Sequence, residues 1–155
     1  MNKLWLLLSH GAALGVGFAG GIYALPIIVA PASPALADIQ AEAARAAFKT
    51  RFRRDLEGSD LLHWGEGAVS VSRAAVTLEG RLAPGPDYKL YLSPEFVQTE
   101  AQFLQLKSRM VRIGDVKTFD NFRVAMPASV DPAQFNTVVV WCETFGQFIS
   151  AGQYR

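Results

Sequence analysis

The chain has one cysteine, Cys142, and two histidines, His10 and His63, among 155 residues. A single cysteine excludes an intramolecular disulfide, a CxxC dithiol, a CxxCH haem attachment and a cysteine-rich zinc site. A blue-copper centre needs two histidines beside its cysteine, and outside the apolar N-terminus only His63 is present. No zincin motif, P-loop or dinucleotide fingerprint occurs, and the glycine-rich GAALGVGFAGG lies inside an apolar run and follows no strand. Charge is also scarce. Only 19% of residues are charged and the formal net charge is +1, so nothing global draws nucleic acid, and none is expected as a partner. Half the residues are hydrophobic, which excludes a disordered chain and leaves a globular or membrane-attached one.

Leu4 to Ala30 carries no acidic or basic residue. As a helix, Leu4 to Leu25 spans roughly 33 Å, enough for a hydrocarbon layer of about 30 Å. Trp5 and Tyr23 stand near its ends, where amphipathic rings suit the headgroup zone. His10 reads as neutral near the interface rather than as a haem ligand or proton relay, because one ligand on one helix defines no site. ALAD, Ala35 to Asp38, offers a small-x-small cleavage site after Ala37, but the apolar run is about twice a usual signal core. The expectation is a retained membrane anchor or uncleaved signal over residues 1–30. Charge does not decide its orientation. The signal-like start points the C-terminal domain out of the cytoplasm, into the periplasm if the cell is bacterial.

Residues 31–60 read as linker and juxtamembrane helix. PASPA is a short spacer, and the Ala-rich DIQAEAARAAFKTRFRRDLEG has Asp38 placed to cap and Gly58 to stop. Its basic end could meet anionic lipid, although the interleaved Glu42, Asp55 and Glu57 read more simply as a solvated face. From residue 61 to 155 the period changes to two: AVSVS, AVTLE, YKLYL, MVRIGDVKTF, FRVAMP, NTVVVWCE and QFISA are strands separated by frequent turns. Ser93–Pro94 opens a short helix or packed loop, Asp120–Asn121 is a turn, and Asp131–Pro132 starts one helical turn. The expected fold is all-β, an antiparallel β-sandwich or barrel-like domain behind a transmembrane helix and a short juxtamembrane helix.

On the strand Val138–Glu143, alternation puts Val138, Val140 and Cys142 on one face and Val139, Trp141 and Glu143 on the other. A thiol in line with two valines reads first as a small buried hydrophobe. Trp141 and Phe145 read first as packing. A Cys142–His63 pair needs strands far apart in sequence to meet, which spacing alone does not establish.

HWGEGAVSV, GPDYKLYLS and the closing GDVKTFDNFRVAMPASVDPAQFNTVVVWCETFGQFISAGQYR together resemble the DM-thirteen domain family. The likeness covers His63 to Arg155. It implies an extracytoplasmic all-β domain, often found beside DOMON and b-type cytochrome modules, with electron transfer or oxidative modification attributed to its cysteine. The family cysteine falls on Cys142, the early histidine on His63 with Gly67, and the turn on Gly85–Pro86–Asp87, where Asp87 reads as a turn-forming residue. The chain shows no DOMON or cytochrome partner of its own, so the resemblance implies a separate redox partner protein.

These readings converge on a membrane-anchored redox or electron-transfer domain, with Cys142 as the candidate thiol and His63 as its candidate neighbour, and with no bound cofactor or metal. The alternative is a non-catalytic anchored module for envelope assembly or ligand recognition, in which Cys142 is packing. A haem held by Cys142 or His63 is a weaker third reading.

Overall fold

The structure is a computed structural model that describes residues 2–155. Helix α1 (Lys3–Val29) is capped by the Asn2 side chain and contains Pro26. It is long and apolar enough to cross a membrane, with a mean hydropathy of 1.9 and none of its apolar window buried. His10 is satisfied within the helix, its Nδ1 lying 2.8 Å from the carbonyl of Leu6.

Helix α2 (Leu36–Ala44) is shorter than the sequence suggests. Its N-cap is Ala35, and Asp38 sits in the first turn, where its charge suits the helix dipole without capping. The expected helix stops here because Phe48, Thr50 and Phe52 alternate with Lys49 and Arg51, a period of two that belongs to a strand. That strand, β1 (Phe48–Phe52), pairs antiparallel with β2 (Gly65–Val71). Ile39 of α2 is fully buried against the first sheet, so α2 packs as part of the domain.

Strands β3 (Ala75–Leu82), β4 (Tyr88–Ser93), β5 (Val111–Val116), β6 (Asp120–Ala125), β7 (Thr137–Cys142) and β8 (Gln147–Gln153) complete the set. They form two antiparallel four-stranded sheets, in the orders β1-β2-β3-β6 and β5-β4-β7-β8. The result is the expected all-β sandwich. At one corner Thr50 of β1 donates to the carbonyl of Gln153, the last residue of β8, at 2.7 Å. β5 and β6 do not pair with each other. Residues 117–119 carry the chain from one sheet to the other, and Asn121, with φ +50°, lies inside β6. Gly67, with φ +132°, lies against Gly80 so closely that a Cβ at either would meet the opposing backbone.

Between the sheets, Val138, Val140 and Cys142 of β7 meet Leu90, Leu92, Val69, Leu78, Phe122 and Ile149. The opposite face of β7 is buried too. There Val139 and Trp141 pack with Tyr91, Phe148, Val97 and Phe103, the last supplied by α3 (Glu100–Leu106). Thr99, not Ser93, caps α3: its hydroxyl accepts from the N–H of Gln102, while Ser93 ends β4 and closes a loop onto Glu95. Asp131 does cap its turn, accepting from the N–H of Ala133. Phe103 and Trp141 stack with centroids 3.9 Å apart and planes 9° from parallel. Phe103→Ala therefore empties the outer core of its largest cover, and a loss of about 3–5 kcal/mol in a denaturant unfolding curve is expected; a loss below about 1 kcal/mol would mean that α3 contributes little to the domain.

Candidate functional site

The end of the sandwich where β7 finishes is built from four loops. The β3–β4 loop (83–87), the β7–β8 hairpin turn (143–146), the segment before β2 (53–64) and the β5–β6 crossover (117–119) all gather there. Two of them are pinned together. The N–H of Glu143 donates to the carbonyl of Asp87, and the Thr144 hydroxyl donates to the Asp87 carboxylate at 3.2 Å. Asp87 takes φ +58°, which its short side chain tolerates, and its carboxylate pairs with Lys89. Its turn is thus held by cross-loop contacts rather than by the local Asx bond expected from sequence. Gly146, with φ +62°, closes the β7–β8 hairpin.

A cleft of about 440 Å³ opens at this end. Cys142 and His63 both line it, with Leu62, Pro86, Tyr88 and Phe145. The topology thus brings into one cavity two residues that spacing could not connect. They do not bond to each other. The Cys142 thiol donates to the carbonyl of Pro86 at 3.0 Å, and the residue is only 3% exposed. Burial, above all, pushes the thiol above its ordinary value, and the nearby carboxylates of Asp87 and Glu143 add to this, while backbone N–H groups of Phe145 and Thr144 offset it in part. Little thiolate is present at neutral pH.

His63 is oriented from behind. Its Nδ1 lies 2.8 Å from Asp60 Oδ2, and the N–H groups of Leu62 and His63 donate to Asp60 Oδ1 at 2.7 and 2.8 Å. The His63 hydrogen bond foremost, and those two N–H groups, hold the Asp60 carboxyl below the usual carboxylate range. With Asp60 ionised, Nδ1 carries the proton and Nε2 is left as the ring's acceptor. The sequence reading missed Asp60. Its signal was DLLH: an aspartate three residues before a histidine can close an Asx turn and reach the ring at once.

Trp141 points away from the cleft into the outer core, whereas Phe145, half-exposed, stands at the cleft's edge. Beside Trp141, Glu143 accepts from the Tyr91 hydroxyl and pairs with Lys107 Nζ at 2.8 Å. Burial alone would raise the Glu143 carboxyl, but the bonds from Lys107 and Tyr91 outweigh it and hold the group below its ordinary 4.5. Among the described residues there is no cluster of three or more His, Cys, Asp or Glu able to hold a metal ion. His63 and Cys142, the haem ligands considered from the sequence, both line the cleft, and ligation by the thiol would require Sγ to leave Pro86.

The arrangement defines a class first: a β-sandwich with one thiol at the inner end of a central strand and an Asp–His pair across a small apolar cleft. The sequence model of the family described as Electron transfer DM13 matches residues 55–154, and the chain belongs to that family. Comparison with curated proteins and with solved structures found no match. Membership assigns the domain a redox-related role.

Two outcomes test this geometry. Alkylation of Cys142 in the folded chain, followed by mass spectrometry, should be slow at pH 7, climb with pH without levelling off by 9.0, the thiol's ordinary pKa, and speed up at neutral pH on denaturation. Fast labelling at pH 7 would contradict the buried thiol. For Glu143, a folded pKa below the unfolded value contributes stability that is complete above pH 4.5 and is lost as pH falls through the folded pKa. Glu143→Gln should therefore lower stability at pH 7 and flatten its decline between about pH 5 and pH 2, measured by urea midpoints across pH.

Proposed function

We propose that the protein is a membrane-anchored, extracytoplasmic redox module that exchanges electrons with a separate partner protein at Cys142. The observation that carries the reading is that Cys142 and the Asp60–His63 pair line one apolar cleft in a domain of an electron-transfer family. A thiol that is buried and protonated is a poor nucleophile for disulfide exchange with a protein surface. It suits electron loss coupled to proton loss. One electron leaves the sulfur for an oxidised one-electron partner, and the S–H proton passes from the Pro86 carbonyl side to Nε2 of His63. Asp60 stabilises the imidazolium that results. On re-reduction the partner returns the electron and His63 returns the proton. Helix α1 supports the anchoring: it is a span of sufficient length, and confinement to a membrane raises the effective concentration of a partner held there.

The second reading is a non-catalytic anchored binding module. The Sγ-to-Pro86 hydrogen bond and the 3% exposure of Cys142 favour it, since both suit a packed, inert thiol. The two part company in the oxidation of the full-length chain by hexachloroiridate, a one-electron oxidant whose colour is lost on reduction. A redox thiol predicts rapid consumption, slowed at least about tenfold both by Cys142→Ser and by His63→Ala near neutral pH. If Cys142→Ser consumes oxidant as fast as the parent chain, the redox assignment of the thiol is overturned and the binding module stands.

A further inference from the structure

Two cavities follow one another along α1, and the domain's face changes character between them. The thiol cleft lies against Ala19, Ile22 and Tyr23, and the domain meets these mainly with Leu62, Pro84, Phe145 and Ile149; His63 is the one basic side chain in its lining, which holds no carboxylate, lysine or arginine. The neighbouring cavity lies against Leu25, Pro26 and Val29, and there the domain supplies Asp87, Lys89, Asp115 and Lys117. Counted from Lys3, a hydrocarbon layer of about 30 Å takes up about twenty residues of helix. The layer therefore ends near Tyr23, a residue type suited to the headgroup level. The domain thus faces α1 with apolar groups where the helix leaves the hydrocarbon, and with charged groups where the helix has passed beyond it.

The loops at the apolar level also expose large hydrophobic side chains. Leu61 is 93% exposed, Leu62 58% and Phe145 49%. Water is a poor neighbour for three such groups on adjacent loops, whereas the boundary between headgroups and acyl chains accepts them.

We propose that this end of the sandwich docks on the bilayer that holds α1. Leu61, Leu62 and Phe145 enter the headgroup–acyl boundary, and the Cys142 cleft opens at the membrane surface, so that whatever reaches the thiol approaches along the membrane. The proposal rests on α1 being a retained span, and is independent of the chemistry assigned to Cys142.

The test uses the full chain in phosphatidylcholine nanodiscs, in a Cys142→Ala background, with single substitutions Leu61→Cys, Phe145→Cys, Leu14→Cys and Gln134→Cys labelled by an environment-sensitive nitrobenzoxadiazole dye. Gln134 lies in the 3-10 turn at the opposite end of the sandwich. Labels at 61 and 145 should shift to the blue and lose most of their emission to lipids carrying a doxyl group high on the acyl chain. The label at 14 should be quenched by a deep doxyl group, and the label at 134 by neither. If 14 is quenched while 61 and 145 behave like 134, α1 spans and the docking is overturned. If 14 is also unquenched, the span itself fails and the docking with it. Should Cys142→Ala not fold, the same labels go onto the chain with Cys142 retained, whose 3% exposure keeps it slow to react.

Discussion

Strand β7 has no solvent face, and the rest of the domain is arranged around that fact. All six of its residues are buried, with Val138, Val140 and Cys142 in the inter-sheet core and Val139 and Trp141 in a second core outside the sheet. An antiparallel sheet in a sandwich ordinarily leaves one side to water. Here the outer side of the second sheet must be covered, and α3 and the segment around Leu56 and Val97 do so, with Phe103 stacked on Trp141. The Tyr91–Glu143–Lys107 network ties β4, the end of β7 and the turn after α3 together at the edge of that cover. A charged group is tolerable there because it is paired and hydrogen-bonded.

The same strand delivers the thiol. Cys142 is the last residue of β7 and lies opposite Tyr88, the first residue of β4, so it stands where the core opens into the loops. Two residues deeper, at the position of Val140, it would be sealed between the sheets; one residue either way it would point to the other face. Its position gives a sulfur that is buried, hydrogen-bonded to Pro86, and yet part of a cleft wall shared with His63. The cleft is mainly apolar, and burial keeps the thiol protonated, which makes the disposal of its proton the central chemical question. In the proposed function Asp60 and His63 answer it, because an imidazole fixed through Nδ1 presents its other nitrogen as a base. The apolar helix α1 runs past the same opening, with Ala19, Ile22 and Tyr23 in the cleft wall.

Much of the fold could be read from alternation. Val69 and Val71, Val76 and Leu78, and the two faces of Val138–Cys142 lie where a period of two puts them. The reading failed where local preference and tertiary pairing disagree. An alanine-rich start suggested that one helix continued to Gly58, but Phe48–Phe52 was claimed by the edge of β2, which offers five backbone partners to a strand and none to a helix. Strands β5 and β6 looked like neighbours because a turn joins them; they sit in different sheets because β4 and β3 provide the edges that each completes. Ser93 and Asp38 had the chemistry of caps, yet the real N-termini lie at Thr99 and Ala35, since packing of Phe103 and Ile39 decides where each helix begins.

The sequence by itself determined the apolar span, the all-β class, the facing of each residue on β7 and the candidacy of Cys142, because these depend on composition and on periods of a few residues. Only the tertiary structure decided that Cys142 is hydrogen-bonded to Pro86, that His63 shares its cleft, that Asp60 stands behind His63, and that the outer face of β7 is roofed by α3. The physical reason is that each of the latter joins side chains through the closure of loops. Which loop ends meet is set by the pairing order of eight strands, and no short stretch of sequence contains that order.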